Sequence, residues 1–89
     1  MDEIQAGMAK YNVTYGGANG ELPEPVSYDA TDAALKQVAE ESIRTGHIPG
    51  IQANPNVDLA DFVIDRFPET VDVPYARLFC RPKTPFGKE

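Results

Sequence analysis

The stretch TDAALKQVAEESIRTG (Thr31 to Gly46) decides the fold. Leu35, Val38, Ala39, Ser42 and Ile43 recur at i, i+3, i+4, i+7 and i+8, which draws one apolar stripe down a helix over 31–45. Thr31 is a good N-cap, and Asp32 meets the positive end of the helix dipole. Arg44 lies at the negative end, and Gly46 suits a left-handed C-terminal cap. Glu40 and Arg44 stand four apart in the favourable order for an ion pair. A helix with one apolar stripe must bury it against something, so the flanks should supply a sheet.

They do. Upstream, YNVTY (Tyr11 to Tyr15) is β-branched and aromatic with no breaker, which predicts a strand. Tyr11, Val13 and Tyr15 share one face; Asn12 and Thr14 share the other. GGANG (Gly16 to Gly20) then reads as a hairpin turn. ELPEPVSYDA returns as a second strand around Val26 to Tyr28, with Pro23 and Pro25 forcing its first half to an edge or a bulge. Downstream, residues 46–60 form a long loop, of a length that is often functional or carries local structure. DFVIDRF (Asp61 to Phe67) predicts a third strand, PETVDVP a turn, and YARLFC (Tyr75 to Cys80) the last strand. The order strand, hairpin, strand, helix, loop, strand, turn, strand implies an α+β domain. Its mixed sheet of about four strands packs on one helix, with the last strand central and parallel to the first. That arrangement is a β-grasp.

Eighty-nine residues suit one small domain with a thin core. Residues 1–9 read as an N-terminal extension expected to be disordered, 10–81 as the domain, and 82–89 as a flexible tail. Pro82 and Pro85 keep that tail extended. The net charge of −6 argues against nucleic acid as a partner. No apolar run reaches the length of a membrane span and no signal peptide opens the chain, so the expected setting is cytoplasmic, without a membrane partner. Cys80 alone cannot build a disulfide framework within the chain. With no Cys or Glu at ligand spacing from His47, no metal site is expected. The scattered acidic residues suggest no general acid and base, so no enzymatic role is expected. No cofactor is implied.

From Lys10 to Gly87 the pattern resembles a ubiquitin-like protein. The helix ends in a glycine, an isoleucine and a proline (Gly46, Ile48, Pro49), and YARLFCRP is similar to the last strand of ubiquitin, whose alternating apolar and basic residues lead into a glycine-ended tail. Here a single Gly87 follows Phe86, where ubiquitin and the sulfur carriers have two glycines. Lys88 and Glu89 follow, as in precursors that a peptidase trims.

The resemblance, to bacterial ubiquitin-like modifiers in particular, implies a protein modifier activated and conjugated through Gly87 after a cut at the Gly87–Lys88 bond. It also implies its partners: an E1-like adenylating enzyme that forms a thioester, an E2-like enzyme, a processing peptidase and a target protein that accepts an isopeptide bond. A non-conjugated β-grasp binding module or accessory subunit, and a sulfur carrier, are the alternatives.

A second surface comes from alternation along the last strand. Ala76, Leu78 and Cys80 point one way, toward the helix. Tyr75, Arg77, Phe79 and Arg81 point the other, and arginine with aromatics is a composition enriched at interface centres. Phe86 could anchor in an apolar pocket of a partner. The expected partner-binding set is therefore Tyr75, Arg77, Phe79, Arg81 and Phe86.

Overall fold

The computed structural model describes residues 7–83. Gly87, Lys88, Phe86 and the rest of 84–89 lie outside the described residues. Six elements follow in order: β1 (Met8–Tyr15), β2 (Ala18–Glu21), β3 (Val26–Ser27), α1 (Asp32–Arg44), β4 (Phe62–Phe67) and β5 (Ala76–Pro82). The sheet runs β2-β1-β5-β4, with β3 also on β1. β1 and β5 are parallel, and the other pairs are antiparallel. This is the β-grasp topology of ubiquitin-like proteins, with the last strand central.

Helix and sheet close on each other through the faces that alternation marks. Ala9, Tyr11 and Val13 of β1 and Leu78 and Cys80 of β5 are buried, and Leu35, Ala39 and Ile43 meet them from α1. The Thr31 hydroxyl caps the helix by accepting from the Ala34 amide at 3.1 Å. At the other end Gly46 takes φ +72°. The amides of His47 and Gly46 bond the carbonyls of Ser42 and Ile43, at 2.8 and 3.1 Å, which makes a Schellman cap.

Several expectations are corrected. Val38 is 38% exposed; it falls on the rim of the stripe, where burial is carried by positions 35, 39, 42 and 43. Arg44 pairs with Glu41, three residues back. Glu40 instead accepts from the Leu59 amide at 2.8 Å. An exposed helical ion pair is worth only a few tenths of a kcal/mol, less than satisfying a part-buried backbone donor. The turn of GGANG is confined to Gly16 and Gly17, at φ +61° and +82°, as a two-residue hairpin between paired Tyr15 and Ala18 requires. Ala18 to Glu21 is already strand. The return strand is broken over Leu22 to Pro25 and resumes as β3, because Pro23 and Pro25 have no N–H to offer a ladder. β1 starts at Met8, inside the segment assigned to the extension, and pairs with Ser27 there. β5 runs through Pro82, one residue into the segment assigned to the tail, where it faces Phe62.

Residues 46–60 run over the surface but lend three side chains to the core. Ile48, Ile51 and Leu59 are buried, and two side-chain turns hold the path: Asn54 accepts from the Asn56 amide and Asp58 from the Ala60 amide. The Asn54 side-chain amide donates to the Tyr15 hydroxyl at 2.7 Å. On β4, Arg66 reaches across to the start of the helix. Its guanidinium donates to the carbonyls of Tyr28 and Ala30 and to Asp32.

The core holds two acids that stay protonated. Tyr11 donates to the Leu35 carbonyl at 2.7 Å. Burial, with the neighbouring Cys80, pushes its phenol well above the ordinary range. Burial likewise pushes the Cys80 thiol up to about 11. Both protons are held more tightly folded than unfolded. The stability Cys80 contributes is complete below its ordinary value of 9.0 and is lost as the pH climbs toward about 11. The urea midpoint should be level below that window and drop within it, by a loss on the order of 2 kcal/mol for the thiol. Cys80→Ala should flatten part of the drop. Urea titrations across alkaline pH check this, and a midpoint indifferent to pH there would refute it. Native Cys80 should also resist thiol reagents until the chain is unfolded.

Candidate functional site

The side of the sheet away from the helix carries the expected binding residues. β5 presents Arg77, Phe79 and Arg81 there, because its alternate residues Leu78 and Cys80 are fully buried on the helix side. Tyr75 stands just before β5, and the Lys10 ammonium of β1 lies over its ring, 4.5 Å from the centroid. The four described members of the set, Tyr75, Arg77, Phe79 and Arg81, thus share one face and are half-buried. Phe86 lies outside the described residues.

Register adds residues that alternation along β5 does not include. The antiparallel pairing of β4 with β5 sets Phe67 opposite Arg77 and Asp65 opposite Phe79. Phe67 packs edge-to-face on Phe79, with ring centroids 5.5 Å apart and planes at 81°. It remains 43% exposed. The Arg77 guanidinium lies over the Phe67 ring, 5.3 Å from its centroid. The missed residue, Phe67, had a signal: Val63, Asp65 and Phe67 alternate in the same way, and an aromatic on the outer face of a strand asks for a reason.

The electrostatics divide the face. Arg81 is engaged: its Nε donates to Asp65 Oδ2 at 2.5 Å, and Nη2 points to Oδ1 at 3.4 Å. That hydrogen bond, with the attraction of the carboxylate, raises the guanidinium pKa further. Arg77 and Lys10 make no ion pair among the described residues, and the buried Arg77 Nε has no hydrogen-bond partner there. A depression of about 300 Å³ opens between Thr14, Asp65, Phe67, Phe79 and Arg81. Its lining is mostly apolar surface, so it suits an apolar side chain. A second concavity, about 460 Å³, lies between the hairpin turn and the loop at Gly50 to Asn54 and is lined by no charged side chain.

No group of three His, Cys, Asp or Glu among the described residues could hold a metal ion. None of their helices is long and apolar enough to cross a membrane. Comparison with protein-family models, with curated proteins and with solved structures finds no match for the chain. The site must therefore be read from its own chemistry, since a fold alone does not carry a function.

Proposed function

We propose that the chain is a ubiquitin-like modifier, cut between Gly87 and Lys88 and joined through the Gly87 carboxylate to an amine of a target protein. The observation that supports this is the place of β5. It lies in the middle of the sheet, parallel to β1, and its last residue is Pro82. Gly87 follows within a few residues, so a cut there would leave a reactive carboxylate tethered closely to the folded domain. Glycine suits that end because it lacks Cβ, and a narrow enzyme channel can hold its backbone.

In this scheme the Gly87 carboxylate attacks the α-phosphorus of ATP on an E1-like adenylating enzyme, which forms an acyl-adenylate and releases pyrophosphate. A cysteine of the enzyme displaces AMP to give a thioester. After transfer to an E2-like enzyme, the target amine displaces the thiolate and an isopeptide bond forms. The chain supplies the acyl group and no catalytic side chain. Expression of the N-terminally tagged chain in cells that make it, followed by denaturing purification and intact-mass measurement, tests the cut. Loss of everything after Gly87 is the expected result. A mass that always retains Lys88 removes the conjugation chemistry.

A second reading is favoured by the Phe67–Phe79 pair and its arginine: a β-grasp module that binds a partner through the sheet face without conjugation. Under it, a chain truncated after Lys83 keeps its partner, while Phe79→Ala loses it. The sulfur-carrier alternative predicts a terminal thiocarboxylate, visible as the exchange of one oxygen for sulfur in the mass of the trimmed chain.

A further inference from the structure

The outer sheet face gathers positive charge on a chain of net charge −6. Lys10 and Arg77 stand directly opposite each other on neighbouring strands, a like-charge pairing that costs stability. Neither is neutralised among the described residues. Each rests on an aromatic ring, Tyr75 or Phe67, which holds it in place without consuming its charge. The buried Arg77 Nε still lacks an acceptor, and buried donors without acceptors are rare enough to require a reason. Next to the pair lies the depression lined by Thr14, Phe67 and Phe79, with Asp65 and Arg81 at it too.

We propose that this surface docks a segment of a partner protein that places an apolar side chain in the depression and a carboxylate on the Lys10–Arg77 pair. The inference rests on the sheet-face reading above and names the chemistry of its partner; it does not depend on a cut at Gly87. A carboxylate matches the planar fork of an arginine in two hydrogen bonds. A nucleic acid fits less well. Arg81 is taken by Asp65 and Glu21 sits on β2, so the face offers one cation pair beside an apolar depression and no run of cations for a phosphate backbone to follow.

The test uses the isotopically labelled full chain and three probes. One peptide alternates Asp and Glu with Leu and Phe; a second has Lys at every acidic position; the third probe is a single-stranded oligonucleotide. The acidic peptide should shift the amide resonances of Lys10, Phe67 and Arg77 to Arg81, and its binding should weaken with added salt. Arg77→Glu should weaken it about tenfold or more and turn the preference toward the Lys peptide. Should that variant fail to fold, Lys10→Glu reads the same reversal from the neighbouring strand. Preference of the native chain for the Lys peptide or the oligonucleotide overturns the carboxylate chemistry while leaving the face as a binding site. Resonance shifts confined to other surfaces, or no binding of any probe, overturn the docking surface itself. Neither result touches the cut at Gly87, which is read by mass.

Discussion

Gly20→Val is expected to leave the chain largely unfolded, and Gly20→Ala to cost about 3 kcal/mol. A Cβ on Gly20 would come within 2.4 Å of the Pro49 carbonyl oxygen and 2.6 Å of Ile48 Cγ2. Pro49 O is backbone and Ile48 is buried, so neither can swing away. Gly20 faces the core opposite Val13, and the loop after the helix lies directly on it. A domain of this size holds roughly 5–10 kcal/mol in total, so a wedge under that loop consumes much of it. Gly17→Ala is the contrast. Its Cβ meets nothing within 4 Å, but φ is +82°, so the cost should be the backbone strain alone, about 1 kcal/mol. Urea unfolding followed by circular dichroism separates the two. Equal costs at both positions would mean that the loop does not sit on β2 as described.

Leu59→Ala should cost about 3 kcal/mol, the range for a fully buried leucine whose site cannot collapse. Leu59 is completely buried although it lies in the stretch between α1 and β4. Its amide is held by Glu40, so the backbone on either side cannot close over the cavity freely. Asn56→Ala, at an exposed position nearby, should change stability by less than about 0.5 kcal/mol. A Leu59→Ala chain with native stability would show that Leu59 does not belong to the core after all.

These two predictions mark where the sequence was hard to read. Gly20 stands in GGANG, a composition that says turn, and it is indispensable for another reason: a loop some thirty residues later needs the space. No local pattern carries that. The burial of Ile48, Ile51 and Leu59 is likewise set by the sheet beneath them, and Pro49, Gly50 and Pro55 between them leave no continuous helix or strand to carry a pattern. Arg66 has the same difficulty, since its partners are carbonyls at Tyr28 and Ala30, and carbonyls leave no mark in a side-chain pattern.

Local periodicity, by contrast, was legible wherever one face was buried. The 31–45 stripe and its caps predicted α1 to within a residue. Alternation in YNVTY and YARLFC separated core from outer face correctly, which put Arg77, Phe79 and Arg81 together before any strand was paired. Phe67 needed the register of β4 on β5, and register is a property of two segments at once. The tail reading, Phe86 and Gly87, comes from the sequence and lies outside the described residues.

The modifier proposal is tested most directly on the targets. Trypsin cuts after Lys83, so a chain joined through Gly87 leaves the remnant Thr84-Pro85-Phe86-Gly87 on the acceptor lysine. Proteins co-purified under denaturing conditions with the tagged chain should yield tryptic peptides carrying that remnant, and Gly87→Asp should abolish them. A native preparation in which every recovered chain continues through an intact Gly87–Lys88 bond, with no lysine bearing the remnant, would contradict the proposal.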